Sequence, residues 1–93
     1  MPEMRFHIRW PDGRREACYS PSLVVKEHFA VGADYPVSDF VARSRTALET
    51  ASERVAARYG FPCSLALGQL RRIEAGASHH APDGLVRVVS FEE

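Results

Sequence analysis

No run of apolar residues in this 93-residue chain approaches the roughly 20 needed to cross a bilayer, so no membrane span is expected. An excess of charge of one sign is missing too: 12 basic residues balance 12 acidic ones, and the pI is near 6.9. A neutral chain gains little from counterion release, which argues against general nucleic-acid binding. Cysteine is scarce. Cys18 and Cys63 stand 45 positions apart with no CxxC between them. The opening MPEMRFHIRW has neither an apolar h-region nor a cleavage site, so reduced thiols in a cytoplasm are expected. Serine-hydrolase elbows, phosphate loops, dinucleotide fingerprints and zinc spacings are all absent. The adjacent His79 and His80 would point about 100° apart on a helix, and His7 and His28 lie far from them in sequence. No metal and no cofactor is expected.

Residues 4–10 alternate strictly, with Met4, Phe6, Ile8 and Trp10 on one side and Arg5, His7 and Arg9 on the other. This pattern predicts a half-buried strand. Pro11-Asp12-Gly13 turns the chain into a second strand from about Arg14 to Ser20. A two-residue Asp12-Gly13 loop would set Arg9 opposite Glu16, but would put Pro11 where the ladder needs an N–H. A type I turn with Pro11 second and Gly13 in a left-handed bulge avoids that loss. It places Phe6 across from Cys18 and Arg5 beside Tyr19. Because a lost backbone bond outweighs one exposed charge pair, this register is expected.

Ser20-Pro21-Ser22 can start a short helical turn through Leu23, Val24 and Val25, and Gly32 to Pro36 reads as a loop. Ser38 to Phe61 reads as one helix of about six turns. Ser38 is placed to cap it, Asp39 to favour its dipole, and Gly60 to end it. Its length of roughly 33 Å matches the diameter of a compact domain of this size, about 30 Å. A second helix from about Cys63 or Ser64 to Ser78 follows after a short connection, which makes an antiparallel hairpin. Pro82-Asp83-Gly84 is a turn, and Leu85 to Phe91 a third strand. The order β-β-(short α)-α-α-β predicts a single α+β domain over residues 1–93, a three-stranded sheet covered by the helical hairpin. In the third strand, simple alternation puts Leu85, Val89 and Phe91 on one face and Val86 and Val88 on the other. Both faces are then partly apolar.

On a helical wheel, Phe40, Val41, Ala47, Leu48, Ala51, Val55 and Tyr59 share one arc of about 120°. Ser44 falls in its middle, where its hydroxyl is expected to bond back to the carbonyl of Phe40. Arg43, Arg54 and Arg58 flank one edge and Arg45 the other, with Glu49 and Glu53 on the far side. As a plain surface this is a solvated face with a weak Arg45–Glu49 pair. As a site, Arg43, Arg45, Glu53, Arg54 and Arg58 form a candidate patch for an anion or for a partner's acidic surface. Cys63 opens a helix, a position where free N–H groups favour a thiolate, yet Phe61, Pro62 and Leu65 make its surroundings apolar. Cys18, opposite Phe6, reads as core. Arg71-Arg72 on a helical hairpin superficially resembles a helix-turn-helix, which zero net charge and the long first helix disfavour.

Taken together, MPEMRF, Trp10-Pro11-Asp12-Gly13, Cys18-Tyr19-Ser20-Pro21-Ser22, SRTAL, ASERVAARYGF and Cys63-Ser64 resemble a known family. It is that of the small nitrogen-starvation response proteins encoded in bacterial nitrilase gene clusters, and the likeness runs from Met1 to about Ile73. It implies a context of nitrogen scavenging from nitriles or cyanide, beside a nitrilase, a radical-SAM protein, an acetyltransferase-like protein and a flavin-dependent oxidoreductase. It carries no catalytic residues. The surface residues Arg43, Arg45, Glu53 and Arg54 fall on its segments without a structural reason to be there. The expected function is therefore that of a non-catalytic accessory or binding protein, a homodimer that also contacts an enzyme of the cluster. The alternative is a small enzyme using Cys63 or Cys18 on a nitrile-derived intermediate.

Overall fold

A computed structural model describes residues 2–93. Strand β1 (Met4–Arg9) and strand β2 (Arg15–Ser20) form the N-terminal hairpin, in the register that Pro11 requires. Phe6 faces Cys18 and Arg5 faces Tyr19. Trp10 N–H donates to Arg14 O at 2.8 Å, Gly13 N–H donates to Trp10 O at 2.9 Å, and Gly13 has φ +91°. A 3₁₀ turn over Leu23–Glu27 is capped by Ser22, whose hydroxyl accepts from Val24 N–H. Helix α1 (Val37–Tyr59) and helix α2 (Ser64–Ala77) form the hairpin, and strand β4 (Leu85–Glu92) closes the sheet.

The sheet has four strands, not three. Asp34–Pro36 forms β3, and the order β2-β1-β4-β3 is antiparallel throughout. Three residues ending in proline carry no readable period, and proline is tolerated there because β3 is an edge. β4 is consequently a central strand, between β1 and β3. Its faces also differ from simple alternation. His7 pairs with Ser90 and Ile8 with Val88, so Val89 is an extra residue in a bulge. The bulge shifts the phase by one, bringing Phe91 opposite the wholly buried Phe6 and onto the core side with Val86 and Val88. The apolar character of the outer face therefore shrinks to Leu85 and the half-buried Val89.

Helix α1 starts one residue before the expected cap. Ser38 lies in the first turn, and no side chain caps the helix at Pro36. Backbone carbonyls replace it: Val37 N–H donates to Gly84 O at 2.8 Å and Ser38 N–H to Pro82 O at 3.1 Å. Two of the orphan donors of the first turn are thus satisfied from the turn that precedes β4. Gly60 ends the helix in the left-handed region, as its φ of +91° requires. Phe40, Ala47, Leu48 and Ala51 are wholly buried, but Tyr59 is 54% exposed because the last turns of α1 run past the sheet.

The core beneath β1 and β4 is tied together by aromatic contacts. Phe40 meets Trp10 edge-on at 5.7 Å and Phe29 at 5.3 Å, and Phe29 in turn stacks on Phe6 at 6.0 Å. Trp10 Nε1–H donates to Glu16 at 3.0 Å, and the ring stacks on His80 at 5.3 Å. Helix α2 passes so close beneath it that a Cβ at Gly76 would sit 3.0 Å from Trp10 Cζ2. Ser44 is wholly buried, but its hydroxyl bonds to nothing among the described residues, against the expected bond to Phe40. An orphan buried hydroxyl costs on the order of 1 kcal/mol. Ser44→Ala is expected to raise stability by about that amount in urea unfolding. An unchanged or lower midpoint would mean that the hydroxyl finds a partner.

Candidate functional site

The five charged residues singled out on α1 do not converge. Arg43 donates from Nε to Asp39 at 2.8 Å and from Nη1 to His28 O at 2.9 Å, and lies over the Tyr35 ring. Arg54 reaches the same side of the molecule, 3.4 Å from Ser22 Oγ and 4.0 Å from Glu27. These two clamp the long helix onto the 3₁₀ turn and β3. Arg45 bonds Glu74 of α2 at 2.6 Å, across the hairpin instead of along its own helix to Glu49. Arg58 lies 5.8 Å from the Tyr59 ring centroid near the helix end. Glu53 lines a groove described below.

The thiols differ from one another. Cys18 is wholly buried, and burial pushes its thiol well above the ordinary range, with Glu16 adding to the shift and Arg72 opposing it. It is held neutral in the core, and a neutral thiol is a poor nucleophile. Cys63 is half-buried at the start of α2 and packs against the core edge. Its backbone N–H donates to Ser52 Oγ at 3.1 Å, a bond that fixes the connection between the helices. The buried Ser52 was not marked by the sequence, since a serine at the rim of an apolar arc looks like surface. Neither sulfur hydrogen-bonds a histidine or carboxylate among the described residues.

Sequence reasoning set Phe61, Pro62 and Leu65 around Cys63 as apolar cover, and the structure turns them outward. Phe61 is 68% and Leu65 64% exposed, beside Tyr59. They crowd the connection between the helices, at the end where α1 outruns the sheet. Next to them a groove of about 320 Å³ runs between α1 and α2, lined by Ser52, Ala56, Pro62 and Leu67, with Glu49 and Glu53 on its rim. Solitary exposed apolar residues are ordinary, whereas here three large ones lie in one stretch next to an apolar groove.

The family model for the nitrogen starvation-induced protein NitG matches residues 5–91. The chain belongs to the NitG family. Comparison with curated proteins and with solved structures returns no match. The NitG match extends through β4, beyond the segments that carry the likeness in the sequence. In this NitG-family fold no three His, Cys, Asp or Glu side chains gather to hold a metal among the described residues. No helix among them is long and apolar enough to cross a membrane. The arrangement offers an apolar tip with an acidic rim at one end, and an arginine-bearing open sheet face opposite the helices.

Proposed function

We propose that this chain is a non-catalytic accessory protein of a bacterial nitrogen-starvation response, acting in the cytoplasm by protein–protein contact within a nitrile- or cyanide-assimilating gene cluster. The observation that carries this reading is the apolar tip of the helical hairpin. Phe61 and Leu65, each more than 60% exposed, add little packing to the fold they belong to. An apolar surface of this kind gains free energy only when a partner covers it. The acidic rim of Glu49 and Glu53 would select a partner segment with basic residues flanking apolar ones. The contact is with an enzyme of the same cluster. A homodimer is the second expected assembly, and the overhang of α1 leaves room for a mate.

The test is recovery of tagged protein from nitrogen-starved cells, followed by gel filtration of what co-purifies. Stoichiometric recovery of a cluster enzyme with wild type is expected. The Phe61→Ala/Leu65→Ala double variant should lose it by at least tenfold, since anchors of this type are each worth about 2 kcal/mol or more. Both side chains are solvent-facing, so the variant should keep the wild-type unfolding midpoint. Recovery of the chain alone, as a monomer, would overturn the proposal.

A further inference from the structure

The outer face of the sheet, away from the helices, carries a row of charge that no packing explains. Arg15 pairs with Arg9, Arg9 with Arg87, and Arg87 with Asp34, so one residue from each of the four strands stands side by side. Like charges directly opposite one another destabilise a sheet. Arg9 and Arg15 are as close as register permits. In the next pair Trp10 N–H points across the ladder to Arg14 O, which makes Arg9–Arg15 a non-hydrogen-bonded pair with Cα atoms about 4.5 Å apart. Asp34 answers only part of this. It takes Nε and Nη2 of Arg87 at 2.8 and 3.0 Å, and those bonds hold its carboxyl below the ordinary value, with Arg9 contributing more weakly. Arg9 and Arg15 make no ion pair among the described residues.

The row is not on a flat surface. Arg9, Arg15, Arg87 and Asp34 line an open cleft of about 560 Å³, with Leu85 and the Pro11-Asp12-Gly13 turn completing its lining. Asp12 also lines the cleft, with its Oδ1 accepting from Arg14 N–H at 3.1 Å. Each guanidinium presents a planar fork matched to two oxygens of a carboxylate or phosphate. We infer that the Arg9–Arg15 end of this cleft binds a small oxyanion with at least two negative charges, a phosphate ester or a polycarboxylate. Asp34, at the far end of the row, repels such a ligand and so confines it to the Arg9–Arg15 end. The site lies on the sheet face away from the helices and does not depend on the hairpin tip.

Pyrophosphate and citrate, titrated separately into the full chain at low ionic strength by calorimetry, test this. Saturable binding of either is expected, with each of Arg9→Gln and Arg15→Gln weakening it about tenfold and the double variant abolishing it. Arg5→Gln, on the same face two rows away opposite Tyr19, should bind as wild type does. Binding of pyrophosphate alone would assign a phosphate ester, and binding of citrate alone a polycarboxylate. In the absence of anion, Arg15→Gln should unfold at a higher temperature than wild type, because a repulsion has been removed; this also shows that the variant folds. No saturable binding of either probe to wild type, or equal binding by wild type and the double variant, would overturn the inference.

Discussion

Phe40→Ala is expected to cost about 3–5 kcal/mol, the range for truncating a fully buried phenylalanine. The ring has no exposed surface and touches both Trp10 and Phe29, so its removal leaves a cavity bounded by aromatic rings from β1 and from the segment after the 3₁₀ turn. Those rings cannot collapse into it freely. Trp10 is pinned by Glu16, His80 and the close pass of Gly76, and Phe29 by Phe6 and Tyr35. A domain of this size has on the order of 5–14 kcal/mol in total, so about a fifth or more would vanish. At about 4–8 °C per kcal/mol the melting temperature should fall by roughly 12–40 °C. Phe40→Leu, which keeps most of the volume, should lose less than half as much. The single tryptophan is buried next to the substituted ring, so its fluorescence in urea reads the change directly. A loss below about 1 kcal/mol would show that the core closes over the gap, contrary to this account.

Gln69→Ala should be the next most damaging, at about 2 kcal/mol. Gln69 is 2% exposed on α2, yet its Oε1 accepts from Tyr19 N–H at 3.0 Å and from Arg72 at 3.2 Å. Tyr19 lies on β2, an edge strand whose N–H groups at alternate residues point away from β1. The glutamine thus takes the place of a missing neighbour strand at that residue. Alanine would leave the Tyr19 donor unpaired and loosen α2 from the sheet edge. Part of the loss is offset, because Gln69 Nε2 has no partner and its removal is favourable. Gln69→Leu keeps most of the volume but removes the acceptor along with that nitrogen. It is expected to lose at least half of what alanine loses, by chemical denaturation near neutral pH. If Gln69→Leu matched wild type, side-chain volume rather than the Tyr19 bond would be what matters.

How far the sequence reaches depends on whether a feature is local. The hairpin register follows from Pro11, whose missing N–H excludes the alternative, with Gly13 taking the left-handed position of the bulge. The end of α1 follows from Gly60 in the same way. Its start does not, because the groups that satisfy Val37 and Ser38 come from Pro82 and Gly84, more than 40 residues away in sequence. Val89 reads as one more alternating position until the pairing with β1 reveals the bulge. Ser44 looked satisfied because a serine in a helix usually finds the carbonyl one turn back. The candidate sites divide along the same line. Arg43 and Arg54 proved to be clamps once the 3₁₀ turn was positioned beside them. The Arg15–Arg9–Arg87–Asp34 row needs the register of all four strands, and Phe61 and Leu65 reveal their exposure only when the helix is seen to overrun the sheet.

The pairing of β1 with β4 also sets the order in which the molecule can be assembled. Arg5 lies opposite Glu92, so the central ladder joins segments separated by almost the whole chain. The entropy of closing so long a loop must be met before that ladder returns any bonds. The N-terminal hairpin and the two helices are local and can form earlier. The sheet cannot, and neither can the first turn of the long helix, whose free N–H groups wait for the same segment. On the ribosome, β1 therefore keeps one open edge until residues 82–92 have emerged, and the fold locks only in that last step.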